Sequence, residues 1–478
     1  MYERRLHRAG IVIAATEDLR QALMAVIVAG VVAGGFDSLG QTLIRLLGLG
    51  LLAACISAVS GYVRWSTTTY AVSHGAARLR SGVFKRTEKS IPVERLQSID
   101  ESHGPIQRLF GVQQVRLQAA GSGKEAEIVL NALSTEDAAE LRAALAGAPA
   151  LQADEAAAES AAHVERLTGG QLVLAGLTSA QFGFLVPVAV AASQALDDVA
   201  EPLFGWVTKE GESASVAGVA AAIAVVLVAA WLVAFAGTLI AFGGFSVARR
   251  GDRLVIERGW IVRRRSSVPV ARVQAVRLID GLLRQPLGMT QMRLETAGYA
   301  DERAYAGTLF PLLPRRDARR MLDVLLPELA ADPAAPLERP PRRAARRYAL
   351  WPAVVGAVAG GGAAVALGSG GAAWLLALAG AAGGAAWGLA RFRAAGFALS
   401  GGRVVVRSRL LARSTVIARP TSVDIRTASQ TILQRRARLA SLRFAIASKR
   451  SFGIAHVEER RAGAALDALA PGGMPSGA

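Results

Sequence analysis

The 478-residue sequence predicts an α+β membrane protein in which one unit, two membrane-spanning helices and then a small β domain, occurs three times. The first reason is a repeat. The segment IPVERLQSI at Ile91–Ile99 returns as VPVARVQAV at Val268–Val276, 177 residues later (268 − 91), and more weakly as IARPTSVDI at Ile417–Ile425. The second reason is composition, because 52% hydrophobic residues beside 19% charged residues suggests apolar spans alternating with polar domains. Such internal repeats define an architecture before any single residue does.

Each copy contains a segment in which apolar side chains alternate with mostly polar ones. The alternating positions are Val115, Leu117 and Ala119 in the first copy, Met292, Leu294 and Thr296 in the second, and Leu442, Phe444 and Ile446 in the third. A period of two predicts a half-buried β-strand. Gly111 and Gly288 come just before it, where a turn with positive φ needs glycine. The third copy has Arg438 near that place, so we expect its turn to differ.

Apolar runs long enough to cross a bilayer precede each β segment in pairs. They are Leu19–Phe36 and Thr42–Val63, then Gln171–Ala192 and Ala214–Phe242, then Tyr348–Leu367 and Gly371–Arg391. The β segments and the N-terminus are basic, whereas the loop Ser193–Ser213 is acidic. Because basic residues near spans stay on the cytoplasmic side, we expect both termini and all three β domains to be cytoplasmic.

The predicted boundaries follow from these patterns. They are residues 1–66 for the N-terminal segment and spans one and two, 67–150 for β domain one, 151–170 for an Ala-rich acidic linker, 171–243 for spans three and four, 244–329 for β domain two, 330–347 for a Pro/Arg linker, 348–393 for spans five and six, 394–470 for a degenerate β domain three, and 471–478 for a disordered tail.

The repeated segments, together with QRLFGVQQVRLQAAG at Gln107–Gly121 and RQPLGMTQMRLETAG at Arg284–Gly298, resemble the membrane-anchored bacterial pleckstrin-homology-like (PH-like) domain family. The resemblance implies that each β domain is a PH-like barrel or sandwich closed by a C-terminal helix. It implies a non-enzymatic scaffold or accessory protein that binds a partner protein, a peptide or anionic lipid, in envelope stress or peptide resistance. It also implies a multi-pass protein of the bacterial inner (plasma) membrane. The expected partner is a shorter, single-repeat relative or another membrane protein. The alternative is a component of a membrane transport or peptide-export complex.

The sequence offers no residues for catalysis, a cofactor or a metal. The five histidines lie in different segments without the spacing of a metal site, and Cys55 is the single cysteine. The formal net charge of +18 raises the question of nucleic acid. Arginine-rich flanks of membrane spans explain that charge, so we predict no nucleic-acid partner.

Apolar residues followed at once by cations form the candidate contact sites. Phe84, Lys85 and Arg86 follow Gly82, while Trp260, Ile261, Arg263, Arg264 and Arg265 follow Gly259; Leu410 and Leu411 precede Arg413 in the third copy. Such a hairpin tip suits contact with an anionic leaflet or a partner. The alternative is that the apolar residues fill the β-domain core and the cations line a solvated strand. Both interpretations stay open for the second copy, and the core interpretation is favoured elsewhere.

Glycines spaced four residues apart form the candidate helix-packing sites. They are Gly30 and Gly34, Gly356 and Gly360, and Gly380, Gly384 and Gly388. Small residues at this spacing let helix backbones approach closely inside a membrane. The alternative is that glycine is simply abundant, with 50 in the chain.

Overall fold

A computed structural model describes residues 4–16, 18–19, 39–73, 75–82, 86–119, 127–145, 164–178, 216–296, 307–331, 337–366, 373–400, 402–446 and 451–469. The chain divides into two compact lobes, an N-terminal lobe of Met1–Val268 and a C-terminal lobe of Pro269–Ala478. We call the three β-rich segments repeats one, two and three.

The N-terminal lobe holds repeat one and the first half of repeat two. Its elements are β1 (Arg4–Arg5), α1 (Leu39–Thr67), β2 (Thr69–Ser73), β3 (Ala76–Ser81), β4 (Thr87–Pro92), β5 (Leu96–His103), α2 (Pro105–Leu109), β6 (Val112–Ala119), β7 (Glu127–Ser134), α3 (Thr135–Ala144), β8 (Val164–Arg166), α4 (Gly169–Leu177), α5 (Val216–Phe242), β9 (Ser246–Arg250), β10 (Arg253–Arg258) and β11 (Arg263–Pro269). The end of the predicted 151–170 linker thus forms β8, which pairs with β9.

The C-terminal lobe holds the rest of repeat two and repeat three. Its elements are β12 (Val273–Asp280), β13 (Met289–Thr296), β14 (Thr308–Pro314), α6 (Ala318–Leu325), α7 (Ala345–Ala366), α8 (Ala373–Ala394), β15 (Gly396–Ser400), β16 (Arg403–Arg409), β17 (Arg413–Ala418), β18 (Val423–Ser429), α9 (Ile432–Arg436), β19 (Leu439–Ile446), β20 (Ser451–Glu458) and α10 (Glu459–Ala468).

Every repeat uses the same order of elements. Three antiparallel strands lead into a single 3₁₀ turn, three more antiparallel strands follow, and a helix ends the repeat. The turns are Val93–Arg95, Val270–Arg272 and Pro420–Ser422. Pro92 and Pro269 are the last residues of β4 and β11, where a missing N–H interrupts little of the strand pairing. In repeat one the IPVER block therefore forms the corner between two sheets.

The core of repeat one lies between its two sheets. Ile91 of the first sheet, Leu117 and Ile128 of the second, and Leu141 of α3 belong to one buried cluster. The predicted alternation in β6 is confirmed, since Val115 and Leu117 are buried. Helix α3 begins where the Ser134 side chain accepts a hydrogen bond of 2.9 Å from the backbone N–H of Asp137, as a helix N-cap does.

Repeat three has a core of the same kind. Phe397 from the first sheet stacks on Phe444 from the second, with ring centroids 5.9 Å apart. Phe452 lies against the same Phe444 ring at 5.7 Å, and Ala465 of α10 closes the cluster. The alternating Leu442, Phe444 and Ile446 are all buried, as predicted.

The expectation of an altered turn in repeat three is wrong. Arg438 has φ +51°, while Gly111 and Gly288 at the corresponding places both have φ +63°. Repeat three therefore keeps the same left-handed turn, with an arginine in place of the glycine. An L-residue with a Cβ is strained there by about 1–2 kcal/mol.

Successive repeats share their sheets. A seven-stranded sheet of the N-terminal lobe runs β7-β6-β5-β11-β10-β9-β8, so the second sheet of repeat one joins the first sheet of repeat two. A six-stranded sheet of the C-terminal lobe runs β14-β13-β12-β17-β16-β15 and joins repeats two and three in the same way. We call the β5–β11 pairing seam one and the β12–β17 pairing seam two.

Apolar helices support the membrane prediction. Gly48–Thr67, Arg342–Val365 and Trp374–Ala394 are long and apolar enough to cross a bilayer, and a shorter apolar segment covers Leu227–Phe242. These are the segments found within the described residues. Most of predicted spans one and three, and the two predicted glycines Gly30 and Gly34, lie outside the described residues.

Candidate membrane-contacting tips

The β10–β11 hairpin of repeat two turns beside the end of helix α5. Gly259 starts the turn with φ +101°, and a Cβ there would collide with the carbonyl oxygen of Val262. Its N–H donates to the carbonyl of Gly243 (2.8 Å), and the N–H of Trp260 donates to the carbonyl of Ile240 (3.1 Å). Because Ile240 belongs to the apolar segment of α5, the hairpin tip lies at the level of that segment's last turn.

The apolar residues of this tip are outside the core. Trp260 is 58% exposed and Ile261 is 44% exposed. The Trp260 ring covers Gly243, where a Cβ would meet it. A tryptophan with one face on the protein and the other open is typical of a membrane–water interface. Of the two interpretations of this sequence, the geometry favours the exposed tip over the core.

The cations of the tip lie in strand β11. Arg263, Arg264 and Arg265 are exposed, and their Cα partners on β5 are His103, Ser102 and Glu101. Next along the strand, the Ser266 hydroxyl donates to the carboxylate of Asp100 (3.2 Å). The three cations therefore project from seam one itself.

The first cross-strand pair contains a histidine. Burial, with the nearby Arg108 cation as the second cause, lowers the pKa of His103 below its ordinary 6.5. A neutral imidazole at neutral pH adds no like charge opposite Arg263 in the strand pair. At this position the strand pair therefore carries one positive charge rather than two.

Repeat three places its tip in the same way. Leu410 and Leu411 form the turn between β16 and β17 and are 63% and 52% exposed. The Trp387 indole N–H of α8 donates to the Leu410 carbonyl (2.7 Å), and Arg391 Nε donates to the Arg409 carbonyl (3.2 Å). The Arg391 guanidinium also lies over the Trp387 ring at 5.2 Å. A tip that the sequence favoured as core is therefore held outside, against a candidate span.

The structure describes the corresponding tip of repeat one incompletely. Gly82 has φ +107°, close to the value of Gly259, so the turn starts alike. Phe84 and Lys85 lie outside the described residues, and Arg86 is exposed just before β4.

A second group of exposed apolar loops was not predicted from the sequence. Each loop joins the fourth and fifth strands of its repeat. The exposed residues are Leu109 and Phe110 in repeat one, Leu282, Leu283 and Leu287 in repeat two, and Ile432 and Leu433 in repeat three. The signal was present as an apolar pair close to arginine in RLFG, GLLR and ILQRR. Short apolar pairs between strands are easily taken for core.

The seams bring both groups of loops together. At seam one His103 pairs with Arg263, so the loop after β5 and the tip before β11 leave the sheet at the same end. At seam two Asp280 pairs with Arg413 and gives the same arrangement. The Gln285 amide there donates to the Leu411 carbonyl (3.4 Å). Each seam therefore presents a paired apolar surface, which we call a paired tip.

Arg284 anchors the loop of seam two. It is buried, and its guanidinium donates to Gln291 Oε1 (3.3 Å) and to the Pro311 carbonyl (3.5 Å). Burial lowers the pKa of Arg284 to about 10, which leaves it cationic at neutral pH. The neighbouring leucines are thereby held outward on a fixed loop.

The predicted helix-packing glycines of α7 and α8 meet at backbone contact. A Cβ on Gly356 would lie under 3.0 Å from the Gly380 carbonyl, and one on Gly360 would do the same at Leu376. On the other helix, Gly384 and Gly388 face the carbonyls of Pro352 and Tyr348 equally closely. The spacing of glycines thus coincides with the line along which the two helices touch.

The described residues hold no group of three or more His, Cys, Asp or Glu side chains that could bind a metal ion. The exposed tips instead combine apolar side chains with neighbouring arginines. What these residues can do physically is contact a lipid surface or another protein.

Comparison with known proteins gives two matches. A family model described as "Bacterial PH domain" matches residues 21–148, 198–329 and 352–471. The UPF0699 transmembrane protein YdbT of Bacillus subtilis (strain 168) is similar, at 26% identity over 321 residues, which is 63% of this chain. The chain spans 64% of the length of that relative. No solved structure matches the chain significantly.

Proposed function

The chain belongs to the bacterial PH domain family, as its three repeats predicted, and on that basis we propose that it is a non-enzymatic membrane scaffold whose paired tips enter the head-group layer. The observation that carries this is the hydrogen bonding of the exposed tips to the apolar helices, through Trp260 to Ile240 and through Trp387 to Leu410. The apolar side chains lie where acyl chains begin, and the arginines beside them lie where lipid phosphates are.

The proposal includes the topology. Six spans in three pairs cross the bacterial inner membrane, and both termini and all three PH-like domains are cytoplasmic. Three candidate spans among the described residues and a transmembrane relative support membrane association. The basic flanks support the orientation. On that face the leaflet is anionic, so each arginine close to it adds about 1 kcal/mol of attraction.

The scaffold holds a partner through its membrane helices or its domains. A shorter, single-repeat family relative or another membrane protein fits this role, because the described spans expose apolar side chains against which further membrane helices can pack. Anionic lipid is the second ligand of the same tips. Envelope stress and peptide resistance are the physiological settings we propose.

The experiment uses the full chain in lipid nanodiscs with a graded anionic lipid fraction. We expect enrichment of anionic lipid around the protein, measured by mass spectrometry of co-purified lipid, to fall when Arg263, Arg264 and Arg265 are all changed to Gln. Added salt should weaken the wild-type enrichment, because screening shortens the reach of surface charges.

A charge-matched control is available in the same repeat. Arg316, Arg319 and Arg320 are exposed and belong to the closing helix α6 and the turn before it, rather than to the tip. Changing these three to Gln removes the same net charge and should leave the enrichment unchanged. Equal loss in both triple variants would mean that total charge, and not the tip, attracts the lipid, and would contradict the proposal.

A further inference from the structure

The two seams follow one rule. Arg263 pairs with His103 at seam one, and Arg413 pairs with Asp280 at seam two. These are the same positions of the repeat, because Asp280 follows His103 by 177 residues (280 − 103) and Arg413 follows Arg263 by 150 (413 − 263). In both seams the third strand of one repeat adds, antiparallel, to the fourth strand of the preceding repeat.

Two strands of the described chain have this kind of edge left over. Strand β4 is the third strand of repeat one, and in the described residues it pairs only with β3. Strand β18 is the fourth strand of repeat three, and there it pairs only with β19. Among the three repeats that the structure describes, the seam rule assigns neither strand a partner.

The exposure of β18 shows what seam formation would cover. Ile425 is 60% exposed, whereas Ala275 at the corresponding place in β12 is fully buried beside β17. Ala428 is also exposed, whereas its counterpart Leu278 is buried. An open strand edge with exposed apolar residues is a template for pairing with another chain.

We propose that β18 of one copy receives β4 of a second copy in the same membrane, in the register of the two internal seams. This rests on the proposed function only in requiring that all repeats lie on one face of the membrane. Among its described strands each copy then offers one seam edge of each kind, so that copies can join head to tail. Two copies that exchange both edges close a two-fold dimer, whereas copies that each bind a new neighbour build a ring or a filament.

The proposed register is compatible with the charges. The seam rule places Arg86 opposite Gln430, Glu88 opposite Ala428, and Lys89 opposite Thr427. Ile91 falls opposite Ile425. No like charges face each other across these pairs, which would be destabilising. Pro92 is no obstacle, because Pro269 ends the equivalent strand at seam one.

The test is a disulfide between copies, using the full chain with Cys55→Ala. One tagged copy carries Glu88→Cys and a differently tagged copy carries Ala428→Cys, and both are expressed together and oxidised in membranes. Cysteines on directly opposed antiparallel residues are close enough to bridge. We expect a dimer that contains both tags, several-fold more abundant than with Glu88→Cys and Ser451→Cys. Ser451 is an exposed residue of β20, at the other edge of the same sheet.

If the register is as proposed, the yield of the disulfide cross-link should depend on the charge placed opposite Lys89. Adding Thr427→Lys to the Ala428→Cys copy places a cation opposite Lys89 and should reduce the yield several-fold, whereas Thr427→Glu should retain it. Lys89→Glu in the other copy should restore the yield lost with Thr427→Lys.

Three results would overturn the proposal. One is a yield no higher than with Ser451→Cys, and another is a dimer formed by Ala428→Cys copies alone, which means β18 pairs with itself. The third is a cross-link within a single chain when both cysteines are in one copy. None of these outcomes depends on whether the tips contact lipid, so failure here leaves the proposed function standing.

Discussion

Asp280 and Arg413 are Cα partners across seam two, and the Arg413 guanidinium donates to the Asp280 carboxylate at 2.7 Å. Arg315 forms a second ion pair with the same carboxylate oxygen. The Asp280 side chain is 1% exposed. One buried carboxylate of repeat two therefore forms an ion pair across seam two with Arg413 of repeat three, and so links the two repeats.

Replacing Asp280 with Asn should destabilise the C-terminal lobe. The change leaves two guanidinium groups beside an uncharged amide. Removing one partner of a buried ion pair lowers the free energy of unfolding by about 3–5 kcal/mol. Because Arg413 is 30% exposed, we expect a cost at the lower end of that range. The measurement is the apparent Tm of the detergent-solubilised chain.

Asp323→Asn is the matched control. Asp323 pairs with Arg319 on the surface at 3.8 Å, and both side chains are more than half exposed. Such a pair contributes about 0–1 kcal/mol, so the apparent Tm should hardly change. Equal effects of the two variants would argue against a fastening role for Asp280.

Arg438→Gly should stabilise repeat three. The residue has φ +51°, and glycine adopts this conformation without the steric cost that a Cβ brings. We expect a gain of about 1 kcal/mol, read as a higher midpoint of thermal or denaturant unfolding. Gly288→Ala is the reciprocal change in repeat two. An added Cβ there would meet nothing within 4 Å, so any loss of stability would come from the positive φ alone. A neutral outcome for both would show that the turn is not strained.

The glycine contact between α7 and α8 can be tested with two neighbouring residues. A Cβ on Gly384 would collide with the Pro352 carbonyl, whereas one on Gly383 meets nothing within 4 Å. Gly384→Ala should lower the stability of the folded protein by about 1–3 kcal/mol through overpacking, and Gly383→Ala should leave it unchanged. Resistance of the detergent-solubilised chain to thermal aggregation reports the difference, and equal behaviour of the two would refute close packing at Gly384.

The sequence was informative about what lies within a repeat. Alternation in β6, β13 and β19 predicted their buried faces, since period two follows directly from strand geometry. The repeated blocks predicted three copies, which the family match confirms.

The pairing between repeats could not be foreseen. Alternation in β11 says which face of the strand is buried, but it does not say whether the edge meets β5 or solvent. The Arg438 turn was misjudged for a related reason, because local preference against positive φ yields where the surrounding sheet requires the turn. Tertiary contacts determine both the pairing between repeats and the conformation of Arg438.

The proposal is tested most directly by measuring whether the β10–β11 hairpin tip lies in the head-group layer. In the Cys55→Ala background, Ile261→Cys and Asp252→Cys each carry an environment-sensitive fluorophore in nanodiscs that contain brominated lipid. Asp252 is exposed at the opposite end of β10 from the tip, so it is the matched control. We predict strong quenching and a blue-shifted emission at position 261, with neither at position 252. Equal, water-like emission at both positions would contradict insertion of the tip into the head-group layer.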